Sequence, residues 1–184
     1  MVSYKFFVPL AVLGAVTAST HAGVVILNQT FVNNTNAVQV FSYTHTLIGL
    51  DATEDSVMGG AVSATLTDLN GNGATLTSVG VNSIYTAMIG STSVATLLNG
   101  GFTFSVGQFL SGSVVPDSFG DPIPSTLVPD SVAPGALGIS LLFALTPGDA
   151  VSFASTFVVQ PVPGPAALPL LGVLGLAGSR RRRA

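Results

Sequence analysis

Apolar and polar residues alternate with a period of two over much of the chain between residues 23 and 160. That is the pattern of strands with one buried face. Val24 to Val32 is an apolar-rich first segment. In Ala37 to Leu47, Phe41, Tyr43, His45 and Leu47 share one face, and Ser42, Thr44 and Thr46 the other. Ala61 to Leu69 sets Val62, Ala64 and Leu66 against Ser63, Thr65 and Thr67. Asp68-Leu69-Asn70-Gly71-Asn72-Gly73 then marks a turn, because Asn-Gly pairs tolerate the left-handed backbone that tight turns require. Ala74 to Ile89 resumes the strand pattern, with a break predicted near Gly80. Val94 to Leu98 and Phe102 to Val106, separated by Asn99-Gly100-Gly101, read as a hairpin; Val94 to Leu98 is also the one place for a short helical turn. Thr146-Pro147-Gly148-Asp149 carries Pro and Gly in the order of a type II turn, joining a strand at Leu137 to Leu145 to one at Ala150 to Val159.

The spacing of these segments predicts an all-β fold, an antiparallel β-sandwich or jelly roll of about eight strands. An N-terminal signal helix and a short C-terminal transmembrane helix are expected to flank it. From Val115 to Pro134 the prolines and Asp117, Asp121 and Asp130 predict a long irregular loop.

Composition sharpens the picture. Only 7% of the 184 residues are charged. All five basic residues lie near the ends, at Lys5 and Arg180 to Arg183, and all eight acids lie between Asp51 and Asp149. The stretch from Gly23 to Gln160 is therefore acidic with no cation. That argues against nucleic-acid binding, which needs a basic footprint, and leaves no cationic side chain for phosphoryl transfer. Glu54 is the one glutamate, and Thr and Ser replace the usual Glu, Lys and Arg of solvated helices, which again favours strands. The chain has no cysteine, so disulfides, zinc-thiolate sites and thiol catalysis are excluded.

The two ends read as addresses. Met1 to Lys5 and the apolar stretch Phe6 to Ala18 form a secretory signal peptide over residues 1–22, with cleavage expected after Ala22. Its apolar part spans roughly 20 Å as a helix, short of a ~30 Å hydrocarbon core. The working domain is expected over residues 23–160. Residues 161–184 hold a proline-rich element, an apolar run from Ala166 to Gly178 and a cationic end. An apolar segment followed by cations is a stop-transfer pattern, with Arg180, Arg181, Arg182 and Arg183 as the membrane stop.

Val162-Pro163-Gly164-Pro165, the apolar run behind it and the arginine cluster together resemble the PEP-CTERM sorting signal, in its VPLPA-type variant. The resemblance implies a Gram-negative bacterial protein, exported, held in the inner membrane and processed by an exosortase-type membrane protease near the proline motif. It further implies delivery to the periplasm, cell surface or extracellular matrix, with extracellular polysaccharide and biofilm as the setting.

Candidate chemistry inside the domain is sparse. Asp68-x-Asn70-x-Asn72-Gly73 matches the first half of a calcium loop, but Val79 stands where the twelfth-position glutamate is needed, so an Asn/Gly-rich turn is the favoured reading. No other cofactor is indicated. Asp51, Glu54 and Asp55 cluster in one loop and read as solvated charge rather than an acid/base pair. His45 lies in register with Phe41, Tyr43 and Leu47, and no Gly-x-Ser-x-Gly elbow accompanies it, so it reads as a strand histidine. The expected function is thus non-enzymatic, a structural role at the surface or in the matrix. A secreted carbohydrate- or calcium-binding module is the alternative, and a small secreted hydrolase the third reading.

Overall fold

A computed structural model describes residues 22–47, 56–133 and 135–162. The expected signal and transmembrane helices lie outside these residues. Within them the regular elements are all strands, twelve in number, arranged as two antiparallel sheets packed face to face.

The first sheet is built on the longest strands. β12 (Asp149–Pro161) lies between β1 (Gly23–Val32) and β3 (Ser56–Asp68). Val25 pairs with Phe157 and Leu27 with Ser155 on one side of β12; Phe153 pairs with Ala64 and Val151 with Leu66 on the other. The far edge of β3 is bonded by three short strands, β8 (Ser111–Ser113), β9 (Asp117–Phe119) and β10 (Thr126–Leu127). The proline-rich stretch is thus not one long free loop. It runs along β3, and its prolines cut the pairing into two- and three-residue pieces because proline has no amide hydrogen to donate.

The second sheet is organised on β11 (Leu137–Leu145), which pairs along its whole length with β2 (Gln39–Leu47). Its other side is shared by β5 (Tyr85–Ile89) and β4 (Ala74–Ser78), which in turn carry β6 (Thr92–Leu97) and β7 (Thr103–Val106). β6 and β7 therefore do not form the expected hairpin. The turn between them is real, but each strand finds its partner in the sheet rather than in its sequence neighbour. Val94 to Leu98 is strand and turn, not helix. The break near Gly80 is confirmed, with Gly80 at φ +61°.

The alternation read from the sequence maps onto the core. Val62, Ala64 and Leu66 of β3, Ile139, Leu141 and Phe143 of β11, and Val151, Phe153 and Phe157 of β12 are buried between the sheets. Phe31, Phe41, Tyr43, Phe143 and Phe153 form one aromatic cluster, with Phe143 stacked on Phe41 at 5.2 Å and edge-on to Phe31 at 5.1 Å. Tyr85 Oη, buried in the second sheet, donates to Thr156 O of the first at 2.9 Å and ties the layers together. Burial pushes its phenol well above the ordinary value. Gly60 is required beneath it. A Cβ there would lie 2.7 Å from the Phe119 ring, 2.8 Å from Thr156 O and 2.9 Å from Tyr85 Oη.

Candidate functional site

The densest polar geometry lies at one end of the sandwich, where the segments after β1, β3 and β7 meet the β11–β12 turn. Asp68 closes β3 and sits directly opposite Asp149, the first residue of β12. Both carboxyls are buried, Asp149 completely.

Asp68 is held by the backbone. Its Oδ1 accepts from the N–H groups of Asn70 (3.2 Å) and Gly71 (3.0 Å), and its Oδ2 from Gly73 (3.0 Å) and Phe109 (2.7 Å). Burial alone would raise its pKa. The four amides outweigh that and bring it down to about 2, because they bond only to the charged form at full strength. The turn supplies this nest through Gly71 and Gly73, both at φ above +80°. Phe109 completes it from a distant segment, itself at φ +55° with its ring over Gly71.

Asp149 has the opposite environment. Burial pushes its carboxyl above the ordinary value; a bond from Thr146 Oγ1 to its Oδ2 (2.5 Å) works against this, and the facing Asp68 charge adds to the rise. Its Oδ1 is buried without a hydrogen bond of ordinary geometry, and a weaker backbone interaction from Leu69 also works against the rise. In its protonated form this carboxyl can donate, and the Asp68 side chain opposite is the neighbour that favours that form.

Asn33 completes the end. It is fully buried, and its Nδ2 faces the carbonyls of Ala37 (2.8 Å), Leu145 (2.9 Å) and Thr146 (3.1 Å), while Oδ1 accepts from Thr35 N and Thr35 Oγ1. Asn70 Nδ2 donates to Pro147 O at 2.7 Å, and its Oδ1 accepts from Asn72 N. The residues expected from the sequence are therefore together, but Asp68, Asn70 and Asn72 are arranged as a turn whose acceptors face amides. Among the described residues, no group of three or more His, Asp or Glu is placed to hold a metal. Asp51, Glu54 and Asp55 lie outside the described residues, as do Pro163, Gly164, Pro165 and Arg180 to Arg183. Ala22 and Val162 are exposed at the two ends of the described chain. His45 sits half-buried on β2 opposite Ile139, as its register implied. Sequence reading missed Asn33, Thr146 and Asp149, whose importance comes from burial.

Two shallow depressions mark the outer faces. One, of about 200 Å³, is lined by Ile26, Asn28, Ala61, Ser63, Ala154 and Thr156 on the first sheet. The other, of about 400 Å³, lies over Thr86, Met88, Thr96, Ser140 and Leu142 on the second. Neither is lined by an acid or a histidine.

No family model matches the chain, and no curated protein matches it. Among solved structures, chains of infectious bursal disease virus are similar in part. One, from the Gx strain, is 15% identical over 76% of this chain and 33% of its own, with a TM-score of 0.33. Another, from the T13 viral particle, is 12% identical over 79% of this chain and 41% of its own, also at 0.33. The chain spans less than half the length of either, and likeness at that level assigns it no activity or partner.

These findings correct the resemblance drawn from residues 162–184. No family model, and so no sorting-signal family, matches the chain. The exosortase partner, the inner-membrane stage, the cell-surface or matrix location and the polysaccharide and biofilm setting are set aside with it. Among the described residues, no helix is long and apolar enough to cross a membrane. The physical reason for the error is that proline pairs, Leu/Ala/Gly runs and basic ends are compositional features that arise separately in many chains. Their succession in one short tail said nothing about the domain in front of it.

Proposed function

We propose that the sandwich is a non-catalytic structural module that acts through its surfaces. One observation carries this reading: Asp68 and Asn33, at the centre of its densest polar cluster, are spent on its own backbone. Asp68 neutralises four amides and Asn33 satisfies carbonyls of two segments. Asp117 accepts from Leu98 N (3.0 Å) and so joins β9 to the turn after β6. A catalytic carboxylate needs a free lone pair or proton facing substrate, whereas these face inward. The outer faces carry Ser, Thr, Ala and Val, a neutral and shallow chemistry suited to flat protein contact.

The reading is tested by the effect of substitution on stability. Groups kept for chemistry are commonly strained, so replacing them leaves stability unchanged or raises it. Groups kept for architecture lower it. Asp68→Asn and Asn33→Ala are expected to lower the melting temperature by several degrees each. Unchanged or raised melting in both would show that the cluster serves a function other than holding the fold.

A further inference from the structure

The first sheet ends in an unusual edge. Among the described residues, β1 is bonded on one side only, to β12. Asn33 N donates to Asp149 O in continuation of that pairing, so by antiparallel alternation the N–H and C=O groups of Val32, Thr30, Asn28, Ile26 and Val24 point away from the sheet, with Thr30 O met at the surface by the exposed Gln29 side chain (Nε2 to O, 3.1 Å). Sheet edges are normally blunted by Lys, Pro, a bulge or a covering element. From Gly23 to Leu47 the sequence contains no Lys, Arg, Asp, Glu or Pro, and the β1–β12 register is unbroken over ten pairs. Val24 and Ile26 are 49% and 58% exposed along this edge. The second sheet ends on the same side, since Phe31 of β1 packs against Phe41 and Tyr43 of β2. The inward side chains of β2 are only half-buried there, so the seam between the sheets is open beside the bare edge.

We infer that β1 is a self-association edge, pairing antiparallel with β1 of a second copy about a two-fold axis at Asn28. The outward row reads Val24, Ile26, Asn28, Thr30, Val32. Folded on itself about Asn28, it sets Val24 opposite Val32, Ile26 opposite Thr30 and Asn28 opposite Asn28. Four of these five positions are β-branched, the residue type that packs best across paired strands, and the fifth brings two amides together. The register also matches outward-pointing backbone groups with one another, as an antiparallel ladder needs. Charge favours a second copy over another partner. Every charge between residues 23 and 160 is negative, so a cationic partner would be drawn to the acids, none of which lies on β1 or β2. A neutral strand that complements itself meets its own copy without that cost. The inference rests on the reading of the domain as a surface-acting module, and it names the surface.

The experiment uses the full chain, which has no cysteine of its own. Wild type is expected to sediment as a dimer at micromolar concentration, and Asn28→Lys as a monomer with unchanged circular dichroism. Asn28→Cys treated with a short thiol-to-thiol cross-linker is expected to give covalent dimer, and Asn82→Cys, in an exposed turn, to give none. A monomeric wild type, a dimer that survives Asn28→Lys, or cross-linking at residue 28 no greater than at residue 82 would overturn the edge pairing. Those outcomes leave the architectural role of Asp68 and Asn33 untouched, because melting of their variants is read separately.

Discussion

At the scale of single residues, the paired aspartates make the clearest expectation. Asp68 has a folded value of about 2 against an ordinary 3.8, so its contribution to stability is complete above about pH 4 and is lost as pH falls through 2. Asp149 is shifted upward, so its contribution is complete below its ordinary value and is lost as pH rises through its folded value. Together they predict a melting temperature that peaks near pH 4 and declines on both sides. Asp149→Asn mimics the protonated acid and should abolish the decline on the higher-pH side, raising stability at pH 7. Thermal melts from pH 2 to pH 8 check this, and an Asp149→Asn profile that parallels wild type would refute the assignment. Asn33 gives a second case. Asn33→Ala strands buried carbonyls and is expected to cost at least about 2 kcal/mol. Asn33→Asp, which sets a carboxylate against carbonyl oxygens, should cost more despite its identical shape, as denaturant unfolding will show.

At the scale of elements, strands and their turns respond to different rules. β3 needs Gly60 because Phe119, Thr156 O and Tyr85 Oη leave no room for a Cβ. Gly60→Ala should therefore destabilise by about 1–3 kcal/mol, the cost of overpacking, although alanine is an acceptable strand residue elsewhere. Tyr85→Phe removes the bond to Thr156 O and should cost about 1 kcal/mol. The β11–β12 turn is more constrained than its type II signature implies. Gly148 sits at φ +72°, and a Cβ there would lie 2.3 Å from Asn70 Nδ2. Gly148→Ala is expected to damage both the turn and its contact with the Asp68 loop, read as a loss of melting temperature larger than that from Gly80→Ala, where a Cβ meets nothing within 4 Å.

At the scale of the whole molecule, stability depends on distant segments meeting. β1 pairs with β12 from the opposite end of the domain, and β12 is the central strand between β1 and β3. A chain ending at Leu145 would leave β1 and β3 without their common partner. It should fail to fold, with dispersed amide resonances lost, even though the local β5–β6 hairpin remains in the sequence. Retained dispersion would mean that the second sheet folds alone. Phe143→Ala, at the centre of the aromatic cluster between the sheets, is expected to cost about 3–5 kcal/mol.

Period-two alternation determined by itself that Val62, Ala64 and Leu66 face inward and that Phe41, Tyr43, His45 and Leu47 share a face, because side chains on a strand must point to opposite sides in turn. Asn-Gly and Pro-Gly likewise determined the turns at residues 70–73 and 146–149, because their backbone preferences are local. Strand partners were not legible. β6 and β7 look like a hairpin in sequence, yet they bond to β5 and β4, since pairing is chosen by the sheet that can bury both faces rather than by proximity along the chain. The Asp68–Asp149 pair was equally hidden. Asp68 resembled a calcium ligand and Asp149 an ordinary turn residue until the tertiary structure set them opposite each other and removed the water. Only then does one stay charged on four amides while the other resists ionisation, because the cost of a buried charge depends on which donors the rest of the fold brings to it.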